Sequence, residues 1–147
     1  MIPRLLHAEI RRKLDAYPAV GLLGPRQCGK TTLAQRFPGT YFDLESRGSA
    51  ARLDAEWEQH VSGDRLLILD EAQAVPEVFA RLRGAIDADR KRNGRFLLLG
   101  SVSPTLMTSI SESLAGRLGL ARMSPLILPE LKAGQLDDLW LRGGRML

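Results

Sequence analysis

The chain has 147 residues, 44% of them hydrophobic, which suits one folded domain and leaves little room for a second complete core. No apolar run approaches the roughly 20 residues of a membrane span, and the start, with Glu9 ahead of Arg11-Arg12-Lys13, is unlike a secretory signal, so cytoplasmic residence is the default expectation. The net charge of +4 comes from 21 basic residues scattered among 17 acidic ones without a dense basic tract, so nucleic acid ranks behind other partners and no membrane is expected.

Leu6, Ile10 and Leu14 recur at four-residue spacing and predict an amphipathic helix within residues 1–16, packed on the core, before a turn at Tyr17-Pro18. The apolar run Ala19-Val20-Gly21-Leu22-Leu23 reads as a strand. It leads into Gly24-Pro25-Arg26-Gln27-Cys28-Gly29-Lys30-Thr31, which fits G-x-x-x-x-G-K-[ST], and then into a helix-compatible segment from Thr32 to Phe37. Strand, loop and helix are the context in which this motif wraps backbone N–H groups around nucleotide phosphates. Gly24 and Gly29 permit positive φ and close backbone approach, so residues 24–29, Lys30, Thr31 and Thr32 form the candidate nucleotide-binding segment. Lys30 can place its ammonium between the β- and γ-phosphates, and the Thr31 hydroxyl can ligate the Mg2+ that bridges them. Cys28 is the single cysteine, which forbids an internal disulfide. A redox switch is conceivable there, but a small residue filling an unconstrained motif position is the simpler account.

Pro38-Gly39 marks a turn, Thr40 to Leu44 a second strand, and residues 50–60 a helix. Leu66-Leu67-Ile68-Leu69 then forms a buried strand ending in Asp70 and Glu71. Asp70 stands where a carboxylate holds the metal or its water shell; Glu71 beside it can orient and deprotonate a water for in-line attack on the γ-phosphate. The competing account is that this acidic pair caps the next helix. Gln73, close behind, could relay nucleotide state, but a polar residue in a solvated turn is the simpler account. Val78, Phe79, Leu82, Ala85 and Ile86 make one helical face, ended by Asn93-Gly94, and Phe96 to Leu99 repeats the buried-strand form before Gly100-Ser101. Ser101 either donates to the γ-phosphate or caps the helix predicted from Pro104 to about Leu114. Arg117 follows a glycine and is a candidate for stabilising transition-state charge, from its own chain or a neighbouring subunit; the alternative is a surface arginine. Leu118 to Met123 could make a fifth strand. His7 and His60 have no metal-site spacing.

Alternating strands and helices predict an α/β fold, a parallel sheet covered on both faces. Ligands in such sheets bind beyond the strand carboxyl ends, where Lys30 with Thr31, Asp70 with Glu71, and Ser101 should converge.

The blocks Leu23-Gly24-Pro25-Arg26-Gln27-Cys28-Gly29-Lys30-Thr31-Thr32-Leu33, Leu69-Asp70-Glu71-Ala72-Gln73, Leu99-Gly100-Ser101 and Ser113-Leu114-Ala115-Gly116-Arg117, followed by Pro125-Leu126 and Pro129-Glu130-Leu131, resemble a prokaryotic family of AAA-type P-loop ATPases over nearly the whole length. The resemblance implies a three-layer core with a five-stranded sheet in the order 5-1-4-3-2. Lys30 and Thr31 would act as Walker A, Asp70 and Glu71 as Walker B, and Ser101 as sensor 1, with ATP and Mg2+ as cofactors. ATP is favoured over GTP by that resemblance and by the lack of an N-K-x-D base-reading motif.

Family members usually continue past a segment like Leu139 to Gly144 into a helical lid and a large C-terminal domain, so residues 124–147 are expected to begin that part. The sequence names no protein partner, and a homo-oligomer is one expected assembly. Mg-dependent ATP hydrolysis is the leading expectation, a nucleotide-driven switch or assembly module with little turnover the second, and a small-molecule kinase the last.

Overall fold

The computed structural model describes residues 4–25 and 29–123; the expectations for Arg26, Gln27 and Cys28, and for the 124–147 extension, lie outside the described residues. Five strands form one sheet: β1 (Ala19–Leu23), β2 (Gly39–Asp43), β3 (Leu66–Asp70), β4 (Phe96–Gly100) and β5 (Leu118–Arg122). They lie in the order β2-β3-β4-β1-β5, every pairing parallel, which is the expected order read from the other edge. This is the α/β arrangement of a P-loop NTPase.

The three central strands, β1, β3 and β4, are buried on both faces because they are apolar on both sides of the pleat. Leu67, Leu69, Phe96 and Leu98 point into one layer, packed on Leu53, Phe79, Leu82, Ile86, Leu106 and Ile110. These come from α3 (Arg47–Ala55), α5 (Val78–Ala88) and α6 (Pro104–Leu114). The alternate residues Leu66, Ile68, Leu97 and Leu99 face the other layer, which holds Leu6, Ile10 and Leu14 of α1 (Arg4–Ala16) and Leu33 and Ala34 of α2 (Lys30–Ala34). The four-residue repeat of α1 is thus its core face. His7 of the same helix stacks on Phe37 at 4.4 Å.

Three elements depart from sequence expectation. The helix after the phosphate loop begins at Lys30 rather than Thr32 and ends early, because Arg36 and Phe37 donate to the carbonyls three residues back, Leu33 and Ala34, and Pro38 forbids continuation. The helix expected over residues 50–60 is two, α3 and α4 (Trp57–Ser62), separated by Glu56 at φ −105°, ψ 13°. Across that bend Trp57 stays buried under the Arg81 guanidinium, 4.3 Å from its ring, and His60 meets Phe42 in a T-shaped contact. Between β3 and α5 lies an unexpected 3₁₀ turn, Ala72–Ala74. No helix among the described residues is long and apolar enough to cross a membrane.

Candidate functional site

Because β3, β4 and β1 are adjacent and parallel, their carboxyl ends open onto one edge of the sheet. The Gly24 N–H donates to the Gly100 carbonyl at 3.3 Å, tying the start of the phosphate loop to the end of β4. The loop's last residue before α2, Gly29, has φ 96°, a left-handed conformation that favours glycine. It turns the chain so that α2 starts at Lys30 with its N-terminal amides toward the crevice.

Lys30 is 5% exposed, and its ammonium donates to the carbonyls of Gly24 and Pro25 at 2.9 and 2.7 Å. The lysine is therefore held against the loop that precedes its own helix. Thr31 Oγ1 donates to Asp70 Oδ2 at 2.7 Å, joining the loop to the end of β3. Tyr41 donates its phenol hydrogen to the same Asp70 oxygen. Burial, then the hydrogen bond to Asp70, raises the Tyr41 pKa, so the phenol stays a neutral donor.

These residues line a crevice of about 560 Å³, together with Gly29, the exposed Thr32, Asp43 and Glu45. Among its described lining residues one cation, Lys30, faces four carboxylates, Asp43, Glu45, Asp70 and Glu71. The described lining is thus acidic on balance, which suits a divalent cation. The donor set fits a small hard cation. A hydroxyl and a carboxylate stand together, while no group of three or more His, Cys, Asp or Glu among the described residues forms an all-protein cage. Mg2+ is held in that way, by one or two protein oxygens with phosphate and water completing its shell.

Glu71 has φ 52° and ψ 52°, a left-handed backbone conformation at the head of the 3₁₀ turn and the one positive φ outside glycine among the described residues. Neither Asp70 nor Glu71 caps the next α-helix: Asp70 is engaged by Thr31 and Tyr41, and Glu71 accepts from Gln73 Nε2 at 2.8 Å. Gln73 is thus not a residue of a solvated turn. It is half-buried, and its Oε1 is buried without a hydrogen-bond partner among the described residues. The cap of α6 is Ser103, whose Oγ accepts from the Leu106 N–H at 3.1 Å. Ser101, which could have filled that role, instead keeps a buried Oγ with no partner among the described residues.

Arg117 is not brought to the crevice. It precedes β5, whose first residue Leu118 pairs with Ala19 at the start of β1. With five residues at about 3.3 Å each, it lies roughly a 16 Å strand length from the phosphate-loop edge. There its Nε and a terminal nitrogen bind Asp87 of α5 bidentately at 2.8 and 2.9 Å. The expectation that it acts within its own chain is corrected by this placement. The β5 arginine on the phosphate-loop side is Arg122, paired with Leu23.

Sequence reasoning missed Tyr41, Asp43, Glu45 and the contact made by Gln73. The signal for Asp43 was available, since it ends β2 directly opposite Asp70. Tyr41 shares its face by the two-residue strand period.

A family model described as an AAA domain matches residues 16–132. Two curated relatives, uncharacterized proteins of Mycobacterium bovis and Mycobacterium tuberculosis, are each 44% identical over 142 residues. The match covers 93% of this chain and 32% of each relative, so the chain spans about a third of the length of the curated relatives it matches. Among solved structures, a Walker-type ATPase of Pyrococcus abyssi aligns with a TM-score of 0.61 at 18% identity, over 95% of this chain and 57% of that one. A DNA replication initiation factor aligns with a TM-score of 0.52 at 15% identity, over 97% of this chain and 51% of that one. At those identities the likeness is one of fold.

Proposed function

The chain belongs to the AAA domain family, an ATPase-like nucleotide-binding module, and on that premise we propose that it binds ATP with Mg2+ and hydrolyses the terminal phosphoanhydride. The observation that carries this reading is the Thr31–Asp70 hydrogen bond at 2.7 Å, which gathers two oxygen donors in the crevice that Lys30 also lines. The residues divide the work. The 24–29 loop and the N-terminus of α2 bind phosphate through backbone N–H groups, the segment Arg26-Gln27-Cys28 included. Lys30 trades its two carbonyl partners for phosphate oxygens and neutralises charge there. Thr31 and Asp70 hold Mg2+, which supplies charge neutralisation at the phosphates when bound. Tyr41 orients Asp70. Glu71 takes a proton from the attacking water, and Ser101, with an unused hydroxyl at the adjacent strand end, donates toward the γ-phosphate.

Arg117, placed at the far end of β5, is proposed to reach the nucleotide of a neighbouring copy rather than its own. That placement also favours the second reading, a nucleotide-driven assembly module with little turnover when alone. Cytoplasmic residence completes the proposal. Replacing Glu71 by Gln tests the hydrolytic reading: turnover should fall on the order of 100-fold or more while ATP binding persists. Undiminished turnover would remove Glu71 from the mechanism.

A further inference from the structure

The 3₁₀ turn after β3 sets an amide against the proposed base. Gln73 Nε2 donates to Glu71 Oε2 at 2.8 Å, and this contact fixes the amide's orientation, since the oxygen end would repel the carboxylate. Gln73 Oε1 consequently points into the protein, where it is buried with no partner among the described residues. It lies against the end of β4. A Cβ added to Gly100 would come within 2.8 Å of that oxygen and within 2.8 Å of Leu106 Cδ2. The absence of a side chain at residue 100 is what lets the amide lie there.

An unsatisfied buried carbonyl costs stability, and an apolar side chain of similar volume would avoid that cost. The amide therefore has a use at its other end. Glu71 sits on a left-handed backbone, so the alternation of β3 does not set the direction of its side chain; the turn and the Gln73 bond do. We propose that Gln73 is the positioning residue for Glu71: Nε2 holds the carboxylate at the crevice, and Oε1, wedged against Gly100, fixes the reach of that carboxylate from the end of β4. This role rests on the hydrolytic reading above.

Gln73→Met removes both the donor and the orphaned carbonyl at similar volume. The variant should melt at or above the temperature of the parent, keep ATP affinity within about twofold, and lose kcat on the order of 10- to 100-fold, as displaced catalytic groups do. In single-turnover assays the same substitution in a Glu71→Gln background should add less than about twofold, because the two residues act as one unit. Gly100→Ala, which drives a methyl into the amide, should lower kcat in the same direction. Unchanged kcat in Gln73→Met, beside a parent that turns ATP over, overturns this inference alone. So does a lower melting temperature with kcat and affinity falling together, the mark of a merely structural residue. A parent that binds ATP without turnover overturns the hydrolytic reading and this role with it.

Discussion

Thr31 and Asp70, 39 positions apart in the chain, share a hydrogen bond of 2.7 Å between hydroxyl and carboxylate. That contact joins the first turn of α2 to the tip of β3, and everything else at the crevice is arranged around it. Lys30 precedes one partner, Glu71 follows the other, and Tyr41 secures the shared carboxylate from β2.

Tyr41 tests how far the carboxylate depends on its support. Tyr41→Phe keeps the ring and removes the donor to Asp70, so the Mg2+ concentration for half-maximal nucleotide binding or turnover should rise about 10- to 100-fold, the usual effect of losing a partner behind a metal ligand. Because burial keeps the phenol protonated, the parent should show no titration of this group across the physiological range. A Mg2+ titration of both proteins decides the matter, and coincident curves would show that Asp70 needs no help from β2.

Gly39 tests the packing of β2 on β3. A Cβ there would lie 2.5 Å from the Leu66 carbonyl oxygen, which is backbone and cannot swing aside. Gly39→Ala should therefore destabilise the fold by about 1–3 kcal/mol, read as a lower denaturant midpoint with an unchanged slope. An unaltered midpoint would contradict the register that pairs Gly39 with Leu66.

The Asp87–Arg117 pair gives a pH prediction. The hydrogen bonds from Arg117 hold the Asp87 carboxyl below its ordinary value. A depressed carboxylate contributes stability that is present above its unfolded pKa, about 3.9, and lost as pH falls through the lower folded value. The melting temperature of Asp87→Asn should sit slightly below that of the parent at neutral pH, and the gap should close as pH falls below about 4. Added salt should narrow the gap as well, because the pair is at the surface. A gap that widens on acidification would contradict the pairing.

Much of this architecture was legible from the chain alone, for a physical reason. Strands buried on both faces are apolar without interruption, so β3 and β4 announce themselves, and the polar residues that end them fall on one edge by the rule of parallel sheets. The turn at Gly29 was legible because few residue types take the left-handed conformation that starts α2. What was not legible depends on tertiary approach. The bend at Glu56 follows from where Trp57 packs, and no local pattern marks it. Gln73 looked solvated because it is a lone polar side chain in a short turn past a strand end, whereas Gly100, 27 positions on, opens the space that buries its amide oxygen. Arg117 kept two readings until the pairing of Leu118 with Ala19 put it at the wrong end of β5 to serve its own crevice.

On the proposed reading, Lys30 and the Thr31–Asp70 pair together make a site for ATP with Mg2+. The most direct test of that reading is ATP affinity and turnover of the purified protein, with and without Mg2+, beside Lys30→Ala. We expect ATP to bind in a Mg2+-dependent way, weaken on the order of 100-fold or more in Lys30→Ala, the loss expected when a buried charge partner is removed, and turn over only in the parent. Equal affinity in parent and variant, or binding indifferent to Mg2+, would contradict the account.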